Sequence, residues 1–185
     1  NLPALLKIIE ESFNDKNILL YFTDQELQAK TADLGWDGKI KETTGDYLNV
    51  VNTNIAGGKS DRKIKQEIFH QAQIQSDGTI IDNLTIRRAH EAVKNELFTG
   101  VRNVDWLRIY VPAGSELVEA TGFAPVDKIF FKPQEENWLD DPDIAAAEAG
   151  VRIDPLSGVK IYNELGKTVF ANWSQVDPGR TAEIN

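Results

Sequence analysis

From residue 63 to residue 90, apolar side chains recur at alternate positions on both sides of Ser76-Asp77-Gly78, and no other feature of the chain restricts its fold as much. A period of two belongs to a half-buried strand, whereas a helix repeats every 3.6 residues. Ile64, Ile68, Ala72 and Ile74 fall on one face of the first run, and Ile80, Leu84 and Ile86 on one face of the second. The two faces merge when Gln75 pairs with Thr79 across a three-residue loop, with Gly78 in the left-handed region as a G1 bulge. A two-residue Asp-Gly turn would put the two apolar sets on opposite faces. The register so defined sets His70 opposite Leu84 and His90 opposite Ile64.

Around this hairpin the pattern predicts further strands at 39–43, 46–54, 105–111, 115–120, 128–132, 159–164 and 168–173, with another beginning at 181–184. Pro112-Ala113-Gly114 and Asp177-Pro178-Gly179 read as turns. Ahead of the sheet, Leu2, Leu5, Leu6, Ile9 and Phe13 are spaced as in an amphipathic helix, with Pro3 near its first position. Ile18-Leu19-Leu20-Tyr21-Phe22 reads as a short strand. Thr23 and Glu26 read as the capping box of a second helix that runs to Leu34 and stops at Gly35. Asp141 caps a short helix that ends at Gly150, and Asp143 is a first-turn charge favoured by the helix dipole. The expected fold class is α+β and β-rich, with short N-terminal helices packed on mostly antiparallel sheet and the later strands sandwich-like. Residues 1–36 form a helix-strand-helix opening segment, and 37–185 a β-rich body of one or two subdomains.

The length of 185 residues, with 41% apolar content, suffices for one full hydrophobic core and argues against a disordered chain. A net charge of -9 repels phosphate backbones and anionic headgroups, so nucleic acid is not an expected partner. No apolar stretch approaches the roughly 20 residues a bilayer-spanning helix needs. The chain opens without Met, at Asn1 inside a helix-like pattern, and is expected to be a fragment of a longer protein. With no cysteine it has no disulfide, thiolate nucleophile or Cys-ligated zinc.

Ala56-Gly57-Gly58-Lys59-Ser60-Asp61 resembles the end of a phosphate-binding loop, but Thr53 stands where that loop needs its first glycine, and a strand follows where it needs a helix. Gly57, Gly58, Lys59, Ser60, Asp61 and Arg62 are therefore read as a glycine-rich connection whose surface can contact a partner. His70 and His90, six strand residues apart, are separated by roughly 20 Å and cannot share a metal or a proton relay. The acids Glu135, Glu136, Asp140, Asp141, Asp143 and Asp154 fit no calcium loop. No serine sits in a Gly-x-Ser-x-Gly elbow. Arg87, Arg88 and Arg108 read as solvated or cross-strand charges, and Trp36, Trp138 and Trp173 as residues at the margin of the core. No catalytic residue, metal ligand or cofactor is expected.

A resemblance runs through Asn17-Ile18-Leu19-Leu20-Tyr21-Phe22, Glu26-Leu27-Gln28, Leu34-Gly35-Trp36-Asp37-Gly38 and Gly45-Asp46-Tyr47-Leu48 to Gly57-Gly58-Lys59-Ser60-Asp61. It continues through Leu107-Arg108-Ile109-Tyr110-Val111-Pro112-Ala113-Gly114-Ser115-Glu116-Leu117 and Glu164-Leu165-Gly166-Lys167-Thr168-Val169-Phe170. These segments, in this order, resemble the C-terminal portion of the bacterial domain-of-unknown-function family numbered 4012. The resemblance implies a long parent protein with an N-terminal transmembrane anchor and most of its mass outside the cytoplasm. It carries over no activity and no catalytic residue. The expected function is a noncatalytic, extracytoplasmic interaction or structural module of the cell envelope, its partner an envelope protein or glycan. The alternative is an accessory domain of a glycopolymer-transferring enzyme whose catalytic residues lie upstream.

Overall fold

The computed structural model describes residues 2–55, 58–127, 131, 133, 135 and 137–185. It is α+β and strand-rich, with the N-terminal helices preceding two antiparallel sheets, and it divides into compact units Asn1–Thr44 and Gly45–Asn185.

In the first unit, α1 (Leu2–Asn14) and α2 (Gln25–Asp33) are joined by irregular chain. The predicted strand at 18–22 is absent: Leu20 N–H donates to Trp36 O at 2.9 Å, but no neighbouring strand completes a ladder. The capping residue of α2 is Asp24, one position beyond Thr23. Its Oδ1 accepts from both Glu26 N and Leu27 N at 3.0 Å, so the Thr23–Glu26 capping box does not form. Leu34 caps the other end, and Gly35 takes a φ of 68°. Phe13 stacks on Trp36 at 4.4 Å between ring centroids and fastens the end of α1 to the chain beyond α2. The leucines of α1 remain exposed.

The second unit holds β1 (Asn49–Val51), β2 (Ile64–Ile74), β3 (Ile80–His90), β4 (Asn103–Pro112), α3 (Pro142–Glu148), β5 (Arg152–Ile153), β6 (Lys160–Glu164), β7 (Lys167–Val176) and β8 (Thr181–Ile184). One sheet runs β1-β4-β7-β6-β5 and the other β2-β3-β8. The β2–β3 register is the one the alternation requires, with His70 opposite Leu84, Ile64 opposite His90, and Gln75 N–H donating to Thr79 O at 2.8 Å. Gly78 has the positive φ of 87° that the bulge demands.

The apolar faces of the two sheets meet at Ile86 and Ile184 from one and Leu107 and Ile109 from the other. Leu84, Val50, Val111, Phe123 and Phe170 pack around them, making the sandwich-like layer. The core covers only the half of the hairpin near Ile86; residues 68–83 are exposed on both faces. That arm projects past β8, which pairs β3 only from Ile86 to Ala89.

Other predicted strands shrink or vanish. The run 46–54 is a strand only at Asn49–Val51, with an isolated bridge from Asn54 to Asp105. The stretches 39–43 and 115–120 are irregular, since alternation without a partner edge forms no ladder. Of 128–132, only Phe131 is among the described residues, and it is not in a strand. Asp141 caps α3 through Oδ1 to Asp143 N and Ile144 N, as its position before Pro142 predicts.

Candidate functional site

The glycine-rich connection meets the body of the fold through polar contacts. Ser60 to Lys63 form a single 3₁₀ turn that leads directly into β2, so no helix follows Gly58-Lys59-Ser60. Ser60 is fully buried, and its Oγ accepts from Asn54 Nδ2 at 3.2 Å and Asn103 Nδ2 at 3.0 Å. Asn103 Nδ2 also donates to Asp61 Oδ1 at 2.7 Å, while its Oδ1 accepts from Arg88 Nη2 at 3.0 Å. Arg88 Nη1 donates to Ser174 Oγ at 3.2 Å and lies 3.1 Å from Asp105 Oδ2.

This network corrects the reading of Arg88 as a solvated or cross-strand charge: Arg88 and Asp105 are both buried, joining the two sheets by an ion pair. Burial pushes the Asp105 carboxyl up to about 6 against the opposing pull of Arg88, and burial likewise lowers the Arg88 guanidinium. Arg87 is the cross-strand charge the pattern suggests, exposed between Glu67 of β2 and Glu183 of β8. Polar residues at inward positions of β3 and β4 thus anchor the loop from inside. Lys59, Asp61 and Arg62 stay exposed, and Gly57 lies outside the described residues.

Lys59 N–H donates to Phe98 O at 2.8 Å, which engages one of the amides a phosphate cradle would need. The same bond brings a second loop alongside the first. That loop, from Glu91 to Val101, is closed on itself by Glu96 N to Val93 O, Asn95 N to Gly100 O and Gly100 N to Glu96 O, at 2.8–3.0 Å. Lys63 Nζ bonds Glu96 Oε1 at 3.0 Å and is the leading cause of that carboxyl's lowered pKa. On this braced frame Val93, Leu97 and Phe98 are 73%, 77% and 69% exposed. Asn95 and Phe98 hold φ values of 68° and 66°, a region that is unfavourable for a bulky L-residue.

Among the described residues, the other titratable groups singled out in the sequence are held by separate local contacts. His90 is buried and both ring nitrogens are engaged: Nδ1 accepts from Ala92 N at 3.3 Å, which leaves Nε2–H to donate to Val101 O at 2.9 Å. His70 is exposed on the arm with Nε2 3.1 Å from Asp82 Oδ1. Asp154 is held by Ser157 N at 2.7 Å and Ser157 Oγ at 2.5 Å in a turn, and these bonds lower its pKa. Tyr110 donates to Glu164 Oε2 at 2.6 Å and accepts from Arg108 Nη1 at 3.2 Å; burial foremost raises its pKa. Glu135 and Asp140 are exposed, and Glu136 lies outside the described residues. Trp173 meets Trp106 edge to face at 4.8 Å and is half-buried, a margin position as its sequence suggested.

The pairing of the glycine-rich connection with the 91–101 loop is only faintly marked in the sequence. Leu97-Phe98 ahead of Gly100 is the only visible sign, an apolar pair where the strand alternation has lapsed. In the first unit, an open depression lined by Lys16, Leu19, Gly35, Asp37, Lys39 and Glu42 mixes both signs of charge, with Lys16 Nζ bonded to Gly35 O. Fold and site together define a strand-rich α+β chain that presents loops on an anchored polar network. Comparison with protein-family models, with curated proteins and with solved structures finds no match to this chain.

Proposed function

We propose that this chain is a noncatalytic interaction module of a bacterial cell-envelope protein, and that it docks a protein partner through the adjoining loops at 58–62 and 91–101. The observation that carries this reading is the exposure of Val93, Leu97 and Phe98 on a hydrogen-bonded loop whose Phe98 holds a positive φ. Left-handed backbone at a bulky residue costs of order 1–3 kcal/mol and concentrates at ligand clamps and other functional positions. A rigid loop presenting apolar side chains also binds with little ordering entropy. Exposed Lys59, Arg62 and Lys94 on the same two loops suit a partner surface that combines apolar with acidic groups.

The family resemblance supports an extracytoplasmic position with an anchor elsewhere in the parent. Among the described residues no helix is long and apolar enough to cross a membrane.

The test is selection of displayed peptides on the purified chain, with a Leu97→Asp/Phe98→Asp variant as the counter-target. Peptides carrying an apolar residue beside acids should be enriched on the parent chain and lost on the variant. Equal enrichment on both sinks the assignment of the loops, and binding to purified envelope glycan without peptide binding replaces a protein partner by a glycan one. Turnover of lipid-linked glycopolymer by the chain alone overturns the noncatalytic reading.

A further inference from the structure

We infer that Asp46, His70 and Asp82 form a binding site for one divalent transition-metal ion of the zinc type on the hairpin arm. The three residues come from separate segments: the approach to β1, the middle of β2 and the start of β3. One ligand atom from each lies within 4.8 Å of the other two, and His70 Nε2 is already 3.1 Å from Asp82 Oδ1. Ligands held 2.0–2.2 Å from a tetrahedral zinc ion are separated from one another by roughly 3.4 Å. Residues 46, 70 and 82 are all exposed, so core packing does not hold their side chains apart.

Two further observations point the same way. On the arm's His70 face, Ile68, Ile74, Ile80 and Leu84 surround His70 and Asp82, which stand at its centre as a solvent-accessible polar pair. The Asp46 carboxylate is also oriented beforehand: its Oδ1 accepts Tyr47 N–H at 2.7 Å, and the Tyr47 ring is itself held 4.4 Å from Lys167 Nζ.

The donor set decides the class of ion. One imidazole with two carboxylates is a borderline set that suits Zn²⁺ and its first-row neighbours, whereas Ca²⁺ and Mg²⁺ take all-oxygen shells. Neutral imidazole with two ionised carboxylates carries two negative charges, which a divalent ion neutralises. Three protein ligands leave a coordination position open to solvent. The two histidines of the chain are not partners here: His90 is buried, both its nitrogens engaged, at the other end of the hairpin.

The test is calorimetric titration of the full chain near neutral pH with Zn²⁺, and with Co²⁺ monitored by its visible absorption. Saturation at one equivalent is expected, with His70→Gln, Asp82→Asn and Asp46→Asn each weakening binding at least about tenfold. Asp77→Asn, at the tip of the same arm, should leave binding unchanged. Because the three ligands are exposed, the variants should keep the parent melting temperature without metal, and the rise that Zn²⁺ produces should disappear. Non-saturating uptake, equal affinity in His70→Gln, or Ca²⁺ binding as tightly as Zn²⁺ each overturns the inference. The loop surface proposed for the partner contains none of these residues, so the two readings fail separately.

Discussion

Replacing Arg88 by Met should be among the most damaging single changes in this protein, and the damage should depend on pH in a direction opposite to ordinary acid denaturation. Arg88 is 1% exposed; its guanidinium donates to Ser174 and Asn103 and faces Asp105, which is 0% exposed. Removing one member of a buried ion pair strands the other and costs about 3–5 kcal/mol, a large share of the 5–15 kcal/mol typical of a folded domain. Asp105 is pushed up to about 6 from its usual 3.8 with Arg88 present, a gap equivalent to about 3 kcal/mol. A carboxyl whose folded pKa is raised adds stability that is fully present below the unfolded value and is lost as pH rises through the folded one. Without Arg88 the carboxyl moves higher still, so the variant regains stability on acidification through a wider window than the parent. Urea unfolding followed by Trp fluorescence should show a deficit of about 4 kcal/mol near pH 7.5 that narrows by pH 5. Adding Asp105→Asn should restore at least about 2 kcal/mol, since the stranded charge is then gone. A deficit below about 1 kcal/mol near pH 7.5, or one unchanged at pH 5, refutes this reasoning.

Phe98→Gly should stabilise the chain by about 1 kcal/mol by relieving the φ of 66°, while weakening peptide binding at the loops; thermal melts and the displayed-peptide assay read the two effects. Gly122→Ala should cost about 2–4 kcal/mol, because a Cβ there falls 1.9 Å from Glu183 O at a φ of +83°, and hydrogen exchange should show the Thr121–Asn185 backbone pair opening first. Arg102→Ala should cost less than about 1 kcal/mol in spite of its two bonds to Asp177 at 2.7 and 2.8 Å, because both side chains are half exposed. The lowered pKa of Asp177, due first to Arg102, makes that contribution present above about pH 4 and lost below it, so the variant and the parent should converge in acid denaturation curves.

The sequence made the hairpin legible because two signals combine there: turn chemistry at Ser76-Asp77-Gly78 admits a two-residue or a three-residue loop, and the period of two in Ile64 to Ile74 and Ile80 to His90 selects the three-residue one. Where only one signal was present, reading went astray. Ile18 to Phe22 has the apolar content of a strand but no edge to pair with, and composition cannot reveal a missing neighbour. Thr23 and Asp24 are both competent caps, and the carboxylate reaching two amides prevailed. Arg88 and Asp105 escaped because a polar residue in an alternating strand reads as solvent-facing. Both sit at inward positions that become tolerable only once the opposite sheet supplies the other charge. The register already placed His70 diagonally across from Asp82, but Asp46 arrives through the path of the chain before β1, which no local pattern encodes.

The pairing of β8 with β3 bears on how the protein is made. Ile184 joins Ile86, Leu107 and Ile109 in the core, and Thr181 to Ile184 take the edge of β3 next to Ile86. A nascent chain emerging from the ribosome can zip the β2–β3 hairpin early from local contacts, yet it cannot seal the core until residues nearly a hundred positions later have appeared. Throughout that interval Ile86 and a bare β3 edge stand open to other chains. The protein therefore carries a window of vulnerability during synthesis, whose length is set by the rate of elongation more than by the stability of the finished fold.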